Sequence, residues 1–195
     1  MDQSLSLIKD LLISISAGIG TIIAIIGLGT WKKQIGANVE YEAARKLLKS
    51  TFKIRDAIAW VRNPFISTGE MVDEPGAQQQ SSDQRKNGLH NAYNRRWQKV
   101  IDANSELSTN LLEAEVLWGK SIRTEYNKLF STIAELSSTI YIYFSHLDEP
   151  EAKLFNDKHR NILYASNDDK DDFKNGLENR LEEIEKLLMP YLNRK

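Results

Sequence analysis

The sequence predicts an all-α protein: an N-terminal transmembrane helix followed by an antiparallel helical bundle. Three observations carry this reading. An uncharged, largely apolar run, LLISISAGIGTIIAIIGLGTW, fills residues 11–31. Beyond it, apolar residues recur at spacings of three, four and seven, the period of a helix with one buried face. No stretch alternates apolar and polar residues as a half-buried strand would, and TIYIYF (139–144), although β-branched and aromatic, lies inside helical spacing.

The run at 11–31 has the length of a membrane span. At a rise of about 1.5 Å per residue it reaches about 31 Å, the thickness of a bilayer's hydrocarbon core. Its Ser and Thr hydroxyls can bond back to their own helix, so lipid tolerates them. A cleaved export signal has a shorter apolar region of about 7–15 residues, a basic start and a small-residue cleavage site. Here Asp2, Lys9 and Asp10 precede the run and Trp31-Lys32-Lys33 close it. Trp31, Lys32 and Lys33 read as membrane-interface anchors, the lysine stems reaching toward headgroups. Basic residues near a span stay on the cytoplasmic side. Lys9 alone precedes the run, whereas Lys32, Lys33, Arg45, Lys46 and Lys49 follow it. The expected layout is a short extracytoplasmic N-terminus (1–10), a single pass through the cell inner membrane (11–31), and a cytoplasmic helical bundle (32–195). The chain has no cysteine, which excludes a disulfide scaffold and fits a reducing compartment.

Ser16, Ala17, Gly20, Ala24 and Gly27 share a wedge about 100° wide on the helical wheel, interrupted by Ile13 and Trp31. Small residues let helix backbones approach closely in lipid, so Ser16, Gly20, Ala24 and Gly27 are candidate oligomerisation residues and a homo-oligomer is expected. Gly18 and Gly29 on the opposite face allow more than two chains to meet. The plainer reading is that Gly and Ala are simply frequent in spans.

The net charge of −1 argues against a general nucleic-acid binder. Its distribution is polar: residues 32–62 hold eight basic residues against three acidic ones, and residues 148–185 hold twelve acidic against six basic. The basic segment adjoins the expected span, where anionic lipid is worth about 1 kcal/mol per well-placed Lys or Arg. Membrane lipid is therefore an expected partner, although the same charges also serve to orient the span.

The first cytoplasmic helix covers 35–61, with Ile35, Val39, Ala43, Leu47, Ile54, Ile58 and Val61 in register; it either continues the span as one rod or bends from it at Gly36, and Pro64 ends it. STGEMVDEPGAQQQSSDQ (67–84) has no period and almost no apolar side chain, so it reads as a flexible loop, either a linker or a partner contact. Helical spacing resumes with Leu89, Tyr93, Trp97, Val100, Ile101, Leu107, Leu111, Leu112 and Leu117. Gly119 caps or bends that helix. A further helix carries Ile122 to Leu147 and stops at Asp148-Glu149-Pro150. A short one is predicted at 151–164, with Leu154, Phe155, Ile162 and Leu163 on one face. Ser166, Asn167 and Asp168 are candidate N-caps for the last helix, whose stripe runs from Phe173 to Leu192 with Pro190 in its final turn.

The chemistry-bearing residues form no catalytic set. His90, His146 and His159 make no i, i+3 or i, i+4 pair, so a zinc site lacks ligands. An EF-hand loop starting at Asp171 would put Phe173, which cannot ligate, at its third position. No Gly-x-Ser-x-Gly elbow occurs, and GLGTWKK lacks the spacing of a phosphate-binding loop. The expectation is a non-enzyme without metal or cofactor. HNAYNRRWQK (90–99) stands out: Arg95, Arg96 and Trp97 are a candidate anion or partner contact, the alternative being Tyr93 and Trp97 in the core with the arginines solvated or facing lipid. Arg62 in RNP reads as part of a helix stop.

TWKKQIG after the span, ARKLL and RDAIAWVRNPF in the first cytoplasmic helix, and EKLLMPYL near the end resemble small bacterial single-span inner-membrane proteins with a cytoplasmic helical domain of uncharacterised function. The resemblance implies no activity and no site residue. The expected function is a membrane-anchored interaction module: a scaffold, sensor or assembly subunit with a protein partner at the cytoplasmic face. The alternative is a membrane-disturbing stress or defence effector triggered through its cytoplasmic domain.

Overall fold

Helix-favouring sequence without a breaker runs from residue 2 to Pro64, and the chain uses all of it. In the computed structural model α1 spans Asp2–Arg62 as one helix, uninterrupted at Gly36. The structure describes residues 2–71, 82–149, 153–166 and 170–193, with side chains omitted at 2–14, 17 and 82. After α1 come α2 (Thr68–Met71), α3 (Ser82–Trp118), α4 (Ser121–Asp148), α5 (Asp157–Leu163) and α6 (Asp172–Leu192), with no strand among the described residues.

The bundle is antiparallel. Lys53 pairs with Glu106 (2.6 Å) and Lys46 with Glu113 (3.6 Å), so α3 climbs as α1 descends. Gly119, at φ +83, reverses the chain between α3 and α4; an L side chain there would be strained, and its N–H caps the Glu115 carbonyl at 2.9 Å. Lys128 on α4 lies 3.6 Å from Glu183 on α6, and Trp118 stacks on Tyr191 with ring centroids 4.2 Å apart, which places the ends of α3 and α6 together. The long helices bury one continuous core, including Leu47, Ile54, Leu107, Leu129, Leu136, Leu163 and Ile184. In its middle, Tyr126 and Thr51 share a hydrogen bond of 3.1 Å.

Only the second half of α1 belongs to this core. Ala43, Ala44, Leu47, Ile54, Ile58 and Val61 are buried, whereas Ile15, Ile19, Ile22, Ile23, Ile25, Ile26, Leu28 and Trp31 are all exposed. A Cβ added to Gly18, Gly20, Gly27, Gly29 or Gly36 would meet nothing within 4 Å. The first half is thus a rod projecting from the bundle. Among the described residues no helix is long and apolar enough to cross a membrane. The expected span falls partly on residues 11–14 and 17, whose side chains lie outside the described residues.

Several expectations need correction. Ile35 and Val39 are 46% and 44% exposed, because the bundle ends at the level of Ala43 and offers them no partner. Ile101 and Leu112 are likewise exposed, each beside a buried neighbour that takes the core position. The segment 67–84 is not all loop: α2 occupies 68–71 and α3 begins at Ser82, while 72–81 lie outside the described residues. STGE is the spacing of a capping box, and Glu70 accepts the Ser67 backbone N–H at 3.1 Å. The last helix is capped by Asp171, which accepts the Lys174 N–H at 2.9 Å; of the expected caps, Ser166 precedes the turn, and Asn167 and Asp168 lie outside the described residues. The short helix is confined to 157–163, where Asn156 and His159 form its capping box.

Candidate functional site

The end of α1 remote from the rod is the most elaborate polar construction in the described chain. A helix end leaves carbonyls without intrahelical partners, and a buried end must find donors for them. Here two arginines, one on α1 and one on α3, supply donors to the carbonyls at the ends of α5 and α1 and to the carboxylates of Asp171 and Glu70.

Arg62, the last residue of α1, is 3% exposed. Its Nε–H donates to the Ile162 carbonyl (2.8 Å), and its Nη2 donates to the carbonyls of Asn161 (2.9 Å) and Tyr164 (3.1 Å) at the end of α5. The same nitrogen meets both Asp171 carboxylate oxygens at 2.9 and 3.0 Å. In return the Ala165 N–H donates to the Arg62 carbonyl at 2.8 Å. The guanidinium carbon also lies 4.5 Å from the Phe173 ring centre. One side chain thus caps α5, pairs with the N-cap of α6 and ties both to α1. Burial pushes the Asp171 carboxyl upward, but Arg62 and the N–H groups of Lys174 and Ser166 outweigh it and hold it below its ordinary range.

Arg96 on α3 is 1% exposed, and each of its five N–H groups can be assigned an acceptor. Nε and Nη2 form a fork on Glu70 of α2 at 2.6 and 3.0 Å. Nη1 meets the Trp60 (3.2 Å) and Asn63 (2.6 Å) carbonyls, and Nη2 also meets that of Phe65 (2.6 Å). The fork, opposed by partial burial and aided by Ser67, lowers the Glu70 pKa to about 2. The Trp60 ring centre lies 5.1 Å from Arg96 and 4.8 Å from the Lys99 ammonium.

Of the expected contact residues, then, Arg96 is an internal clamp: with its donors spent it has none left for an outside anion. It also departs from the solvated alternative. Arg95 is exposed and its Nη1 reaches the Glu70 carbonyl at 3.3 Å. Trp97 is half-buried and packs against the core that includes Tyr93. Ser16, Gly20, Ala24 and Gly27, and the anchors Trp31, Lys32 and Lys33, are all exposed on the rod, far along α1 from the clamps. Sequence reading placed Arg62 at a helix stop, where α1 does end, but assigned neither it nor Glu70 and Asp171 to a clamp. The STGE capping box was the one local signal for Glu70.

The histidines stay apart in role. His159 belongs to the α5 capping box, His90 lies with its ring centre 4.4 Å from that of Phe144, and the buried Nδ1 of His146 has no hydrogen-bond partner among the described residues. No group of three potential metal ligands occurs among the described residues. Two ligand-sized cavities open on the clamped end. One of about 450 Å³ is walled by Tyr93, Trp97, Tyr141 and Phe144. Another of about 510 Å³ lies between α4, α5 and α6.

These features define an all-α class of protein, a clamped helical bundle bearing a projecting apolar helix. No protein family, curated protein or solved structure matches the chain.

Proposed function

We propose that the chain is a single-pass inner-membrane protein whose helical bundle acts at the cytoplasmic face as a non-enzymatic interaction module: a scaffold, sensor or assembly subunit. The observation that carries the reading is the rod. Eight large apolar side chains between Ile15 and Trp31 are 50–65% exposed and point to every side of one helix. Burying a side chain of this size is worth about 1.5–3 kcal/mol, so the rod in water forfeits more than a small domain's net stability. Lipid removes that cost on all sides at once, which a single docking partner does not.

Trp31, Lys32 and Lys33 then sit at the headgroups, and the basic residues that follow keep the bundle on the inner side. Two turns of bare helix, carrying Ile35 and Val39, separate the anchor from the bundle. The wedge of Ser16, Gly20, Ala24 and Gly27 would bring copies together in the bilayer, and the clamped far end would face a protein partner; nucleic acid is not among the expected partners. Fractionation of broken cells tests the reading: the chain should pellet with membranes and resist carbonate extraction. In spheroplasts the bundle should survive added protease. Recovery of the intact chain in the soluble fraction would sink it.

A further inference from the structure

The 510 Å³ cavity at the clamped end is lined by two cations, two carboxylates and an aromatic floor: Lys158, Arg180, Glu135, Asp172 and Phe173. Its volume lies within the usual range of small-molecule sites, about 300–1,000 Å³. Arg180 is half-buried, yet no hydrogen bond or ion pair to it occurs among the described residues. Every other half-buried or buried arginine described, Arg62, Arg96 and Arg123, has a carboxylate partner. Arg180 lies back along α6 over Gly176, where a Cβ would stand 3.4 Å from its Nη1, and both residues line the cavity. Lys158 is exposed, and among the described residues its ion pair is with Glu135 at 4.0 Å, the limit of such a contact.

We infer that this cavity binds a small organic phosphate of mononucleotide size. Arg180, as a planar fork, and Lys158, as a point charge, take the phosphate. The carboxylates of Glu135 and Asp172 accept hydrogen bonds from hydroxyl or amino groups of the ligand, and the Phe173 ring, which lines the cavity, offers apolar contact to a planar base. The balance of two cations against two acids suits a ligand that is anionic at one end and donor-rich at the other. The ring shared with the Arg62 clamp makes ligand binding a stabiliser of the α5–α6 junction. The inference stands independently of the membrane reading.

The test is calorimetric titration of the detergent-solubilised full chain with adenosine monophosphate, adenosine and inorganic phosphate, one at a time. Expected is saturable binding of the monophosphate at millimolar concentration or below, with phosphate competing and adenosine at least tenfold weaker. Arg180→Ala should weaken the monophosphate at least tenfold, and Gly176→Leu, which fills the cavity, should abolish its binding. Both should keep the helical circular-dichroism signal, and Glu178→Ala on the exposed side of α6 should bind as the native chain does. Absence of saturation by the monophosphate, equal binding of adenosine, or unchanged affinity in Arg180→Ala overturns the inference.

Discussion

The two halves of α1 are one uninterrupted helix with opposite fates. From Ala43 to Arg62 most apolar residues keep to one face and are buried, Leu47, Ile54, Ile58 and Val61 among them, while Arg55, Asp56 and the ring of Trp60 face out. From Ile15 to Trp31 they occupy every face and are exposed. Helix formation is indifferent to this contrast, because the backbone bonds are satisfied within the helix either way. Periodicity decides what each half can pack against. A stripe selects other helices, whereas an apolar surface all round has no single face to turn toward a bundle; in the function proposed above, lipid covers it.

The largest effect is expected where the embedded half ends. Arg62→Ala leaves the Asp171 carboxylate buried without its cation and uncaps α5; chemical denaturation should show a loss of about 3–5 kcal/mol. Arg55→Ala, on the exposed side of the same helix, should cost less than about 1 kcal/mol. Equal losses would mean that the Arg62 clamp is not built as described.

Identical truncations then set the halves against each other. Ile54→Ala should destabilise the bundle by about 2–5 kcal/mol, since its side chain is fully buried. Ile22→Ala should leave the denaturation midpoint of the bundle within about 0.5 kcal/mol of the native value. A matched loss from Ile22→Ala would show that the rod folds back on the bundle.

Acid provides a gentler probe of the same end. Glu70 is held at about 2 in the fold, below its ordinary 4.5, so its contribution is fully present above pH 4.5 and is lost as the pH falls toward 2. A depression of that size corresponds to at most about 3 kcal/mol, and to less here because solvent reaches Glu70 and screens the pair. Glu70→Gln should lower stability near neutral pH and flatten its decline between pH 4.5 and 2, measured by denaturation at each pH. The smallest expected effect is Gly20→Ile: the bundle keeps its stability, and the size of the detergent-solubilised particle shifts toward the monomer. An unchanged particle size would remove the wedge as an interface.

Much of the architecture was readable along the chain. Pro64 and Gly119 mark real helix ends, and the stripes through Leu107, Leu129 and Leu181 are buried as their spacing requires. Periodicity fails at Ile35 and Val39, where the stripe runs past the top of the bundle, and at Leu112, where a buried Leu111 already fills the layer. It fails more instructively at Arg96. The spacing that places Tyr93 and Val100 in the core also places Arg96 there, but a guanidinium is ordinarily assigned to solvent because burying it unpaired is costly. Its partners lie on Glu70 and on carbonyls from Trp60 to Phe65, outside any window around it.

The order of the helices, their breaks and the all-round apolarity of the first segment were set by local composition and period, since a helix closes its hydrogen bonds within four residues. The burial of Arg62 and Arg96, the conversion of Asp171 and Glu70 into clamp partners, and the cavity beside Arg180 were decided only by tertiary structure. Each requires groups some 26 to 109 residues apart, or several helices at once, to converge before the desolvation of a charge can be offset.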